Sequence, residues 1–177
     1  MQIQANPWSF TPADQAVTTP IASITNQVRS ALVTTTAAHG LAQGSIISVQ
    51  GLTTVRRYRG GYTVLSVPSP TTFLINGDYK FVGLPNSVGE GNVLTAVYLA
   101  MIRAEQILWD CPDTLGVAPP TDLGALTLTD VAGNQVFSAG AASVPSRPYT
   151  YGKLYWINGL VINRFIGPGS TLQITIN

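Results

Sequence analysis

The chain has 177 residues, 45% of them hydrophobic and 10% charged, with a formal net charge of +1. That length holds one ordinary domain or two small ones, with enough apolar material for packed cores. The near-neutral charge excludes a broad basic footprint for nucleic acid, and no run of about 18 apolar residues is present to span a bilayer. Charged residues fall well below the ~25% usual in globular proteins. A polar, uncharged surface of Thr, Ser, Asn, Gln and Gly suits a protein packed against copies of itself or a partner. Cys111 is the single cysteine, so an intrachain disulfide is excluded. No basic stretch leads into a long apolar one near the start, and the expectation is a soluble protein made in the cytoplasm.

Residues 1–27 read as an extended N-terminal arm, broken by Pro7, Pro12 and Pro20. Trp8 and Phe10 stand two apart, which puts both rings on one face of an extended segment. Such a segment has little core of its own, so the rings must insert into the rest of the chain or into a neighbour.

Residues 28–96 carry the signals of a small antiparallel β module. Ala31–Thr36 is β-branched and strand-like, and His39-Gly40 and Gln43-Gly44 supply turns. Ser45–Gln50 reads as a strand closed by Gly51. Gly61–Val67 alternates, with Tyr62 and Val64 on one side and Thr63, Leu65 and Val67 on the other. Pro68-Ser69-Pro70 is expected to stop it, and Thr71–Ile75 to return. Four short strands at this spacing fit a small barrel or sandwich. Gly83–Gly91 reads as loop, and Asn92–Ala104 as one long strand in preference to a short helix.

Residues 97–177 are expected to form a C-terminal antiparallel β-sandwich, interrupted by a proline-rich loop over Trp109–Asp122. Leu126–Thr129 and Val136–Ala139 flank a turn, Asp130–Gln135, and together read as a hairpin. Asp130 is placed to bond the turn backbone. Leu154–Ile157, an Asn158-Gly159 turn, Leu160–Ile162, a turn at Pro168 and a final strand over Thr171–Ile176 complete the reading. The fold class is all-β.

The chemistry of catalysis is not visible. His39 is the single histidine, and although Asp14 or Asp78 could complete a triad with a serine, no Gly-x-Ser-x-Gly elbow is present. A turn histidine bonding backbone groups is the simpler role. The acidic residues are scattered, with no paired carboxylates for glycoside hydrolysis. Asp110 and Asp113 lack the dense alternation of a calcium loop, and one Cys with one His makes no zinc site. No Gly-x-Gly-x-x-Gly or phosphate loop occurs. The expectation is no enzyme, with no catalytic, cofactor-binding or metal-binding residues.

Two clusters stand out as binding candidates. Arg56-Arg57-Tyr58-Arg59 can meet a phosphate, a sialylated sugar or an acidic protein patch, or be a solvated tip; three arginines make a poor nucleic-acid footprint. Tyr149, Tyr151, Tyr155 and Trp156, interleaved with Arg147 and Lys153, suit a sugar-binding face, a protein interface or the half-buried rim of a sandwich.

One stretch resembles a known family. Val33-Thr34-Thr35, His39-Gly40-Leu41, Gly44, Val49, Gly51, Tyr58, Gly60, Tyr62-Thr63-Val64, Val67-Pro68-Ser69 and Thr72-Phe73 are similar to a repeat module of tailed-bacteriophage virion proteins. Arg59 stands where that module usually has Asn, and Gly61 is an extra glycine. Leu126–Ser138, with its Asp-x-x-Gly-Asn turn, and the strands from Gly159 to Ile176 look like small phage β-sandwich proteins. The resemblance implies no catalytic residue.

It implies a virion structural protein assembled in the host bacterial cytoplasm, first of all a capsid decoration or cement protein. Its partners would be the major capsid protein or other virion proteins, with self-association as a trimer or dimer, and neither nucleic acid nor membrane. A tail, baseplate or collar component is the near alternative, and a receptor- or carbohydrate-binding module the further one. The expected partner-binding residues are Trp8, Phe10, Arg56, Arg57, Arg59, Tyr149, Tyr151 and Tyr155.

Overall fold

The computed structural model describes residues 7–96, 98–110, 125–140, 149–151, 155–166 and 170–176. The all-β expectation holds: the described elements are strands and three short 3-10 turns. The strands are β1 (Trp8–Phe10), β2 (Thr18–Asn26), β3 (Ser30–Thr35), β4 (Ile46–Gln50), β5 (Gly60–Ser69), β6 (Thr72–Asn76), β7 (Ser87–Val88) and β8 (Asn92–Thr95). There follow β9 (Tyr98–Asp110), β10 (Ala125–Thr129), β11 (Gln135–Gly140), β12 (Tyr149–Tyr151), β13 (Tyr155–Ile166) and β14 (Thr171–Ile176).

The first unit is an antiparallel barrel. Its strand order is β3-β6-β5-β4-β8-β2, a pairing of β2 with β3 closes the ring, and β7 adds to β2. Closure removes the free edges that a charge-poor sheet would otherwise offer for aggregation. Period-two alternation fills the interior: Ala31, Val33, Ile47, Val49, Tyr62, Val64, Phe73, Ile75 and Val93 are all buried in one cluster. Fully burying a side chain of this size stabilises by roughly 1.5–3 kcal/mol. Tyr58 and Phe81, from two 3-10 turns at Arg56–Tyr58 and Asp78–Phe81, join that cluster with ring centroids 4.9 Å apart.

The second unit is a sheet of order β1-β14-β9-β13-β10-β11, with β12 also on β9. One face, from Trp8 in β1 to Phe137 in β11, is buried in a single cluster. Long β13 holds the unit together: Tyr155–Leu160 pair with β9, and Val161–Ile166 pair with β10. The register shifts between Asn158 and Leu160. Gly159 takes φ +72° there, a left-handed conformation that glycine adopts without a Cβ penalty.

Several expectations need correction. The described part of the expected arm, from Pro7, is not separate: β1 is an edge strand of the second unit, and β2 belongs to the barrel. The barrel therefore begins at Thr18, ten residues before the expected boundary, because Ile21 and Ile24 are part of its core. Pro68 does not stop β5, which runs to Ser69; the register shift between Ser66 and Ser69 takes up the missing donor. Asn92–Ala104 is two strands: β8 closes the barrel and β9 enters the other sheet. The Gly83–Gly91 loop contains β7. Asn158-Gly159 is a bulge within β13, not a turn between strands. The expected proline-rich loop beyond Asp110, including Cys111, and the Pro168 turn lie outside the described residues.

The two units share a seam. Ala16, Leu94, Val131 and Val161 form a small buried cluster, with Ala96 and Leu99 against it. β4 is consequently buried on both faces, Ile47 and Val49 toward the barrel interior and Ser48 and Gln50 toward the second unit. Gly61 allows the close approach, since a Cβ there would lie 2.7 Å from Leu99 Cδ2 and 3.1 Å from Val131 Cβ.

Candidate functional site

The cationic residues are concentrated on the barrel. Arg29, Arg56, Arg57, Arg59 and Lys80 are five of the nine Lys and Arg residues in the chain. The β2–β3 hairpin supplies Arg29, the turn after β4 supplies Arg56 and Arg57, and the turn after β6 supplies Lys80. Stacking of Tyr58 and Tyr62 on Phe81 brings those two turns together, at centroid separations of 4.9 and 5.8 Å.

Lys80 is the pivot of this face. Its Nζ donates to Arg59 O at 3.0 Å and to Tyr62 Oη at 2.9 Å, and stands 5.0 Å from the Tyr62 ring centroid. Desolvation, and then the charge of Arg57, lower its pKa. Tyr62 in turn donates to Tyr58 O at 2.8 Å, and burial raises its own pKa. Around this frame Arg56 and Arg57 are exposed.

An apolar rim accompanies the charge. Tyr79 is 75% exposed, and the Arg29 guanidinium lies 4.9 Å from its ring centroid. Val28 and Val82 are exposed as well. Val28 also holds φ +71°. A β-branched residue in the left-handed region is strained, and Asn26 imposes the turn by accepting the Val28 N–H on Oδ1 at 2.8 Å and donating Nδ2 to Phe81 O and Leu84 O.

Of the residues expected to bind a partner, the structure brings Arg56 and Arg57 onto this face. Arg59 is turned off this face: it is half-buried, its Nε donating to Leu52 O at 2.7 Å. Trp8 and Phe10 are corrections as partner contacts and take the other expected course, insertion into the rest of the chain. Both are buried in the chain's own core, with Trp8 packed edge-on against Tyr98 at 5.0 Å, so neither is a surface contact in this fold. The backbone of Tyr149 registers with Trp109, of Tyr151 with Ile107 and of Tyr155 with Ala104, while their side chains lie outside the described ones. Tyr79 and Val28 were not anticipated. Only the folded barrel places the Tyr79 ring beside Arg29.

His39 takes the turn role. It is buried, its Nδ1 accepts the Leu41 N–H at 3.0 Å, and its ring meets Phe73 edge-on at 5.0 Å. Asp14 is committed elsewhere, accepting from Thr11 N at 2.8 Å. Asp130 bonds its turn as expected, accepting from Ala132 N and Asn134 N. Among the described residues no group of three or more His, Cys, Asp and Glu could hold a metal ion. Comparison with family models, curated proteins and solved structures finds no match.

Proposed function

We propose that this protein is a non-enzymatic structural component of a phage particle, a decoration or cement protein that docks on the capsid lattice through the cationic face of its barrel. The observation that carries the reading is that face. A chain poor in charge sets Arg29 over exposed Tyr79 and Arg57 near Lys80, with Arg56 exposed beside Arg57. Tyrosine and arginine are the residues enriched at the energetic centres of protein interfaces. The strain at Val28 supports the same reading, because a backbone held off its preferred region at an exposed site is a feature of ligand clamps. The partner face would be acidic, and self-association would add avidity across the lattice.

Copy number per particle tests the reading by quantitative mass spectrometry. Lattice-scale copy number supports decoration; a small number set by ring symmetry supports a tail, baseplate or collar component. Arg56→Glu with Arg57→Glu should abolish decoration of separately purified capsids and leave the thermal unfolding midpoint unchanged. Decoration unaffected by that double substitution would remove the proposed face from the interface.

A further inference from the structure

A second feature, independent of the cationic face, lies at the seam between the two units. A groove of about 450 Å³ opens there, within the range of about 300–1,000 Å³ usual for small-molecule sites. The barrel contributes Thr18, Gln50, Arg59 and Asn92, and the second unit contributes Gly133 and Asn163. Among the described residues no carboxylate belongs to its lining.

The polar groups are held by their neighbours. Arg59 is anchored through Nε on Leu52 O, which leaves the terminal nitrogens of its guanidinium as the donors available to a ligand. Gln50 Nε2 donates to Ser48 Oγ, Thr129 Oγ1 and Asp130 O, so the amide end left to the groove is the Oε1 acceptor. Asn163 Oδ1 accepts from Thr129 Oγ1 at 2.7 Å, which leaves Nδ2 as a donor. Gly133 keeps the wall open: a Cβ there would stand 3.3 Å from Gln50 Oε1.

We propose that this groove binds an acidic sugar, a hexuronate unit, with its carboxylate on Arg59 and its hydroxyls on Gln50, Asn92, Asn163 and Thr18. One guanidinium matches one monoanion with a planar two-oxygen group. A phosphate dianion would call for a second cation, and among the described residues none lines the groove. Donors and acceptors in alternation suit vicinal hydroxyls, each of which both gives and takes a hydrogen bond. Because both units contribute walls, an occupant holds the seam together and raises the unfolding temperature by mass action.

Titration calorimetry and thermal shift of the full chain test this, with D-glucuronate and D-galacturonate as probes and glucose, acetate and inorganic phosphate as comparisons. At least one uronate should bind and raise the midpoint, with glucose weaker by roughly tenfold or more for want of the charge-assisted contact, and acetate weaker by a similar factor for want of the hydroxyl contacts. Arg59→Gln should lose that affinity, and Asn163→Leu should weaken it in a chain that keeps the Arg59 anchor. Arg56→Gln, on the exposed face, should leave it unchanged. No uronate binding, acetate or phosphate binding as well as the uronates, or equal loss in Arg56→Gln would each overturn the proposal. Capsid decoration is read separately, so failure here leaves the docking face untouched.

Discussion

The hydroxyl of Ser48, on a barrel strand, donates to the carbonyl oxygen of Val131, in the hairpin turn of the other unit, across 2.7 Å of buried seam. Gln50 adds bonds to Thr129 and Asp130 two residues along the same strand. Ser48→Ala removes the donor and leaves the Val131 carbonyl buried without it. Equilibrium urea unfolding should show a loss of about 1–3 kcal/mol. Unchanged stability would mean that the seam opens to water.

Glu90 gives the chain an acid-sensitive clasp. It accepts from Thr53 N and Oγ1 at 2.8 and 2.6 Å, from Thr54 N at 3.1 Å and from Ser87 Oγ at 3.0 Å. The side-chain bond from Thr53, followed by its backbone bond, brings the carboxyl pKa from 4.5 down to about 2. A depressed carboxylate stabilises fully above its unfolded pKa and stops doing so as pH falls through the folded value. The thermal midpoint of the wild type should therefore fall toward that of Glu90→Gln between pH 4.5 and 2. A midpoint difference that is flat across that window would contradict the clasp.

Trp8 and Phe10 act within the fold. Each is buried beside β14, where Trp8 registers with Ile174 and Phe10 with Leu172. Phe10→Ala should cost about 3–5 kcal/mol by chemical denaturation. A truncation lacking the first ten residues should lose stability even with no partner present. A fully stable truncation would show that β1 is an accessory strand.

Gly159 is the residue on which the β13 bulge depends. With φ +72°, an added Cβ would meet Val131 and come within 2.8 Å of Tyr98 O. Gly159→Ala should destabilise by more than the roughly 1–2 kcal/mol of the left-handed conformation alone, since the clash adds to it. Val28 makes the opposite case. It is exposed at φ +71°, so Val28→Gly should raise stability by about 1 kcal/mol. Urea midpoints of the two variants should move in opposite directions.

By itself the sequence determined the local elements. Alternation placed Tyr62 and Val64 inward and Thr63 and Leu65 outward, and the Asp130 turn was written in its own side chain. Period-two patterning and turn chemistry act between near neighbours, so they survive without tertiary context. What only the tertiary structure decided was partnership. Ser48 and Gln50 alternate like solvent-facing residues and are buried, because a second unit covers that face. Trp8 pairs with a strand more than 160 positions away, and Arg59 parts from Arg56 and Arg57 by turning toward Leu52. Contacts across such separations leave no periodicity in the chain, so the seam, its groove and the cationic face take shape only when the strands close.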